Sequence, residues 1–357
     1  MPYNRGMTQL DLLLPFAMPP GEMARDLLRE LKMPSLAMLL ARASRSEHEI
    51  SDGFARALPH EYWLARQFDI APVRDSDNSP ALAASAMRSF HLPAETGTWF
   101  ILQPVHLHIT RDHLVLTDTR QLQLAESDAR ALFDIVQPLF EEIGTSLVYG
   151  DAQTWFMRAD DWHALQTSTP DAACGHNIDI WMPKGPHERD WRRLQNEIQM
   201  HWHAHAVNEE RETRGLKPVN SVWLWGGADA QKRPDTNAKF EEAFTFSNER
   251  KPFTAFANQQ ITITSVADML AARPERGLLT IDDLIEAALA GDWAEWLQRF
   301  QVMEELWFAP LLTALQDGRI DKLAITISHN TACSTFNISK SSLRKFWRKP
   351  SLARLAS

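Results

Sequence analysis

The sequence predicts an α/β protein, with a central sheet flanked by helices, interrupted by an inserted α+β domain. Three observations carry this reading. Near the start, and again after residue 218, short apolar runs alternate with helical periodicity, as when strands feed helices across a sheet. Between about Trp99 and Arg158 the succession changes to β-β-α-β-β. The length, 357 residues, exceeds the usual single domain, which favours two domains or one large domain carrying an insertion. The expected boundaries are 1–90 and 218–338 for the two parts of the α/β domain, 91–217 for the insertion, and 339–357 for a basic C-terminal tail.

Taken in order, LDLLLPFA (Leu10 to Ala17) is an apolar run closed by Pro15, Pro19 and Pro20, a buried strand leading into a loop. GEMARDLLRELKMPSLAMLLARAS is helical, with Met23, Leu27, Leu28 and Leu31 on one face, a stop near Pro34 and a resumption at Leu36. LPHEYWLARQFDI gives another helix from about Pro59, and the Asp, Ser, Asn and Pro of VRDSDNSPALAAS mark a surface connection. In the centre, TWFILQPVHLHIT and HLVLTD are strands around the turn at Arg111-Asp112. LAESDARALFDIVQPLFEEIG is a helix, and SLVYGD and TWFMRAD are two more strands. ERDWRRLQNEIQMHWHAHAVNEERETRGL is one long helix that stops at Gly215 and Pro218. NSVWLWGGA then reads as a buried strand with Val222 and Leu224 on one side and Trp223 and Trp225 on the other. Gly226-Gly227 lets the chain turn sharply into a cleft. QQITITSV, LLTIDDLIEAALAG, DWAEWLQRFQVMEELWFAPLLTALQDG and DKLAITISHN complete the alternation.

The formal charge of -9 argues against nucleic-acid binding by the body of the chain, whereas the tail from Ser339 carries six Lys and Arg and no acid. The run could touch phosphate or a membrane surface, but a solvated final helix, with no membrane partner, is the expectation for it, and a basic tail can also fold back on an acidic body. The two cysteines, Cys174 and Cys333, stand in no metal or redox spacing, which points to a reduced, cytoplasmic protein. LLLPFAMPP is too short and too proline-broken to span a membrane. Thirteen tryptophans call for packed layers with polar edges or an aromatic-lined pocket.

Among sites, Glu197, His201 and His205 would share a helix face, and His106 and His108 one side of a strand. Two neighbours of the first set, or the pair of the second, could ligate a metal, but the third helix ligand lies too far along the axis and partly exposed polar faces are the expected reading of both. Asp160-Asp161 reads as a cap for the helix at Trp162. Lys184 beside Gly185 could hold an anion or sit in a plain turn. No nucleophile elbow, P-loop or dinucleotide-type glycine pattern occurs.

NEERETRGLKPVNSVWLWGGA, together with LPHEYWLARQF, QPVHLHITRDHLVLTD, STPDAACGHNIDIWMPKG and LQNEIQMHW, resembles bacterial regulatory proteins of the RpfE type. More distantly, PSLAMLLARA near the start, the insertion, RGLKPVN leading into the tryptophan strand, and a closing strand-loop are similar to the archaeal-type cofactor-independent phosphoglycerate mutases of the alkaline phosphatase superfamily. That resemblance implies an alkaline-phosphatase-like sheet with two divalent metals, a hydroxyl nucleophile, and an inserted domain closing over a phosphorylated substrate. The chain departs from it where metal ligands are implied. Pro15-Phe16 replaces Asp-Gly, Ser328-His329 replaces Asp-His, and ALPHEYWLARQF holds no Ser or Thr. Asp112-His113, the only Asp-His pair, falls in a hairpin turn.

The reading is therefore a catalytically degenerate regulatory scaffold with no cofactor, binding a small ligand, phosphorylated or not, or a regulatory protein. The cleft-lining residues expected are Asn220, Trp223, Trp225, Gly226, Gly227, His329 and Asn330, with Lys184 as an anion contact. The alternative is a metal-dependent phosphatase or phosphomutase with relocated ligands drawn from His106, His108, His201 or His205. A nucleic-acid regulator acting through the tail comes third.

Overall fold

In a computed structural model, which describes residues 7–72, 77–232, 239–245 and 259–356, the first apolar run forms β1 (Met7–Leu14). It is followed by α1 (Gly21–Glu30), α2 (Pro34–Arg42) and β2 (Arg45–Ile50). Next come α3 (Pro59–Gln67), α4 (Ala83–Ser89), β3 (Thr98–Val105), β4 (Leu107–Ile109), β5 (Leu114–Leu116) and α5 (Glu126–Glu142). They lead to β6 (Ser146–Asp151), β7 (Thr154–Arg158), α6 (Pro170–Ala173), α7 (Glu188–His203), α8 (Ala206–Thr213) and β8 (Ser221–Asp229). The remainder is β9 (Glu242–Thr245), β10 (Gln259–Thr262), α9 (Val266–Ala272), β11 (Arg276–Thr280), α10 (Ile285–Leu289), α11 (Trp293–Met303), α12 (Ala309–Asp317), β12 (Ile320–Ser328) and β13 (Ala332–Ser339). Among the described residues no helix is long and apolar enough to cross a membrane.

The chain divides into two units. The first takes 7–51, 239–245 and 259–356 of the described residues, and the second takes 52–72 and 77–232. The first unit has a seven-stranded sheet in the order β10-β9-β11-β1-β12-β13-β2. Its first five strands are parallel, β13 runs antiparallel to β12, and β2, antiparallel to β13, regains the direction of the first five. A parallel strand covered on both faces reads as a continuous apolar run, and Leu12, Leu13 and Leu14 are all fully buried. Asp11 is the exception on β1. Burial raises its carboxyl's pKa, against a 2.9 Å hydrogen bond from the Gln9 amide. Residues 304–308 form a π-helical turn between α11 and α12, and there the buried Glu304 accepts from the Ser35 and Leu36 N–H groups at 2.7 and 3.3 Å. A carboxylate from a distant helix thus caps α2, which has no side-chain cap of its own.

The second unit carries an antiparallel sheet, β6-β7-β3-β8, and the small β4-β5 ribbon. Tryptophans bind its layers together. Trp155 of β7 packs edge-to-face on Phe133 of α5 and Trp202 of α7, and the Trp202 indole donates to the Leu132 carbonyl. The boundaries 91–217 fall inside this unit, which also includes α3, α4 and β8.

Several elements depart from expectation. The tryptophan strand pairs with β3, outside the parallel sheet, and it runs on through its glycines to Asp229. The long central helix breaks at His205, whose backbone is extended and whose Nδ1 accepts the Val207 N–H to cap α8. His205 therefore does not share a helix face with Glu197 and His201. The segment from Ser339 has no α-helix, only short 3-10 turns, and β2 and β13 are strands that the sequence pattern does not announce.

Candidate functional site

β8 meets β3 with one residue too many. Trp225 pairs with Ile101 and Ala228 with Trp99, so Gly226 and Gly227 together face Phe100 in a β-bulge. Gly226 has φ +70°, and a Cβ on Gly227 would lie 2.6 Å from the Phe100 ring. Both positions therefore require glycine. The bulge is fixed from the α3–α4 connection. Ser79 Oγ accepts the Gly226 N–H at 2.9 Å, and the Leu82 N–H donates to the Gly226 carbonyl. Ser79 Oγ also lies 2.8 Å from Thr167 Oγ1, and Asn78 Oδ1 accepts the Ser79 and Thr167 N–H groups. The stretch expected as a surface connection is thus partly interior, with Ser79, Leu82, Ala83 and Ala84 buried by these contacts.

The bulge lines a cavity of about 520 Å³ within the second unit. Gly227, Asn78, Ser85, Arg88, His163 and Lys232 are among its walls. Arg88 Nη2 donates to Ser85 Oγ at 3.0 Å. Of the acids around it, Asp160 is paired with Arg158 at 2.8 Å and accepts the Thr98 N–H. The Arg158 bond holds its carboxyl below the usual range. Asp229 accepts the Gln231 N–H in a local turn. The volume lies in the range of small-molecule sites, and the walls mix apolar surface with a few converging polar groups.

The residues singled out in the sequence are distributed differently. Gly227 lines the cavity and Gly226 braces it. Trp223 and Trp225 are 1% and 4% exposed, and their indole N–H groups donate to the Ser168 carbonyl and to Gln103 Oε1 at 2.8 Å each. Their polar edges are bonded inside the unit, and neither tryptophan is among the residues that line the cavity. Asn220 uses both ends of its amide on Leu107, accepting its N–H and donating to its carbonyl. Lys184 is exposed and exchanges backbone hydrogen bonds with Gln166. His329 and Asn330 lie in the β12–β13 turn of the first unit, where His329 Nδ1 accepts the Thr331 N–H. Burial, reinforced by His48, lowers the imidazole pKa. Asn78, Arg88, His163 and Lys232 are not marked in the sequence, since contacts between residues far apart in the chain, such as Ser79–Gly226 and Asn78–Thr167, draw their segments together.

The two divalent metals that the phosphatase-type resemblance implies do not fit the residues present. At the carboxyl ends of β1 and β12 the Phe16 N–H donates to Ser328 Oγ at 3.4 Å, and the Trp296 indole donates to the Phe16 carbonyl at 2.9 Å. Asp282 and Asp283 follow β11, yet among the described residues no three His, Cys, Asp or Glu side chains are grouped to hold a metal ion. His106 has its Nδ1 2.8 Å from the Pro218 carbonyl. At the start of α3, where the resemblance implies a nucleophile, the Leu58 N–H and the Thr169 hydroxyl both donate to Glu61 Oε2. Burial, and then the neighbouring Asp171 charge, push the Glu61 carboxyl up to about 8. Glu61 therefore caps the start of α3 from a buried position.

No family model matches the chain. Over 145 residues, 40% of its length, it is 25% identical to a probable 2,3-bisphosphoglycerate-independent phosphoglycerate mutase of Geobacter sulfurreducens. The chain is distantly similar to the cofactor-independent phosphoglycerate mutases. The match spans 36% of that relative, about a third of its length. A solved Pyrococcus horikoshii protein shares the fold at a TM-score of 0.57 and 11% identity, over 98% of this chain and 92% of that one. A cofactor-independent phosphoglycerate mutase from Thermoplasma acidophilum gives a TM-score of 0.49 at 12% identity, over 98% and 95% of the two chains.

Proposed function

We propose that the chain is a phosphoglycerate-mutase-like scaffold that binds without turnover, a regulatory protein whose ligand is a small polar metabolite with an acidic group. The ligand's place is the cavity under the Gly226–Gly227 bulge, with the acidic group, phosphate or carboxylate, toward Arg88 and Lys232. One observation carries the reading. At the strand ends where the resemblance implies metal-ligating carboxylates, Phe16 and Ser328 stand instead, the Phe16 N–H donating to Ser328 Oγ and the Phe16 carbonyl accepting the Trp296 indole. The likeness to RpfE-type proteins supports the regulatory role.

The test is turnover. Purified without a histidine tag and given manganese or magnesium, the protein should neither interconvert 3- and 2-phosphoglycerate nor hydrolyse p-nitrophenyl phosphate. Metal-dependent turnover abolished by His329→Ala would overturn the reading. The sequence match to a mutase favours a second one, a phosphomutase or phosphatase with relocated ligands. Stoichiometric metal that stays with the protein through chelation would decide for it.

A further inference from the structure

The segment after β13 is tied to the first unit at both ends and pushed outward in the middle. Arg42 Nη1 donates to the Leu343 carbonyl at 2.7 Å. Arg348 Nη1 donates to the Ala41 and Ala43 carbonyls, and Arg354 Nη1 to that of Leu40 at 2.8 Å. Leu343 and Leu355 are buried anchors. Docking therefore uses the carbonyl end of α2. Between the anchors, Phe346 and Trp347 stand 82% and 68% exposed, their rings edge-to-face at 5.3 Å. Arg344, Lys345, Arg348 and Lys349 flank them, and Ser339 to Ser357 holds no acid.

Two adjacent exposed aromatic rings rimmed by cations form an apolar patch of the kind that interaction sites present. We propose that this tip is a peripheral membrane contact: Phe346 and Trp347 enter the boundary between headgroups and acyl chains, while Arg344, Lys345 and Lys349 meet anionic lipid phosphates. Charge selects the occupant class, because a cationic patch on a chain of formal charge -9 is attracted only to an anionic surface. Ring geometry favours lipid over single-stranded nucleic acid. Successive bases stack on roughly parallel platforms, whereas these rings are 81° apart. Insertion at an interface requires only apolar tips beside cations. The acidic body opposes the approach, so the contact is weak and reversible.

The experiment is co-sedimentation of the full chain with vesicles of phosphatidylcholine alone and of phosphatidylcholine with phosphatidylserine. Binding is expected to the anionic vesicles only. It should fall roughly tenfold in the double variant Phe346→Ser/Trp347→Ser, and by a similar factor in Lys345→Gln/Lys349→Gln or at high salt. The altered side chains are exposed or half-buried, so both variants should melt with the wild type, and circular dichroism checks that they do. The proposal is overturned if the wild type does not bind anionic vesicles, if it binds neutral ones equally, or if the aromatic variant binds undiminished. Salt-sensitive binding of a single-stranded oligonucleotide in place of vesicles would assign the tip to nucleic acid.

Discussion

Ser328, at the end of β12, accepts the Phe16 N–H, and the Phe16 carbonyl is in turn taken by the Trp296 indole; Gly227, near the end of β8, faces a cavity of about 520 Å³. Both places lie toward the ends of buried strands. In the first unit, backbone and side-chain polar groups bond to one another at positions where the resemblance implies metal ligands. In the second, two glycines remove side chains from a bulge, and Ser79 and Asn78 hold the backbone open. The sequence likeness to mutases, then, does not say where this chain does its work.

The largest expected effect comes from the packing behind the bulge. Trp223→Ala should cost about 3–5 kcal/mol and leave the Ser168 carbonyl without its indole donor, which a denaturant midpoint will show. A small effect would mean that the strand is less tightly held than its burial implies. Next is the bulge itself. Gly227→Ala puts a methyl group against the Phe100 ring and should cost roughly 1–3 kcal/mol, with ligand binding reduced beyond that because Gly227 lines the cavity.

Glu61 gives the smallest and most specific effect. Its carboxyl rises from an ordinary 4.5 to about 8 in the fold. Below the unfolded value it is protonated in both states. As pH rises, the unfolded chain ionises first, so the associated stability is lost progressively as pH climbs through about 8. Glu61→Gln keeps an acceptor for Leu58 and Thr169 and should flatten that decline. Its melting temperature should approximate the wild type's near pH 5 and exceed it by roughly 5 °C near pH 8. Parallel curves for the two proteins would show that Glu61 ionises normally.

Much of the fold was legible because local pattern and tertiary role agree. LDLLLP reads as a strand buried on both faces and becomes one, and the α5 periodicity survives intact. The misreadings share a cause, which is partners distant in sequence. Gly226-Gly227 looks like a turn until Phe100 is set opposite it. Asn78-Ser79 looks like a surface loop until Gly226, 147 residues away, uses the serine hydroxyl. His205 looks like a helix-face residue, yet its ring caps the next helix. Trp223 and Trp225 stand out in their strand, but a strand pattern does not distinguish an indole that meets a ligand from one that meets a carbonyl.

The central claim is that binding resides in the second unit's cavity and involves no turnover. The most direct measurement is the melting temperature of the full chain and of Arg88→Ala with millimolar 3-phosphoglycerate, 2-phosphoglycerate, phosphoenolpyruvate and glycerate, with and without manganese. The account predicts that at least one of these acids raises the wild-type melting temperature without metal, and that Arg88→Ala, folded as well as the wild type, loses the shift. A shift that persists in Arg88→Ala, or that requires manganese and is followed by conversion of the acid, would contradict it.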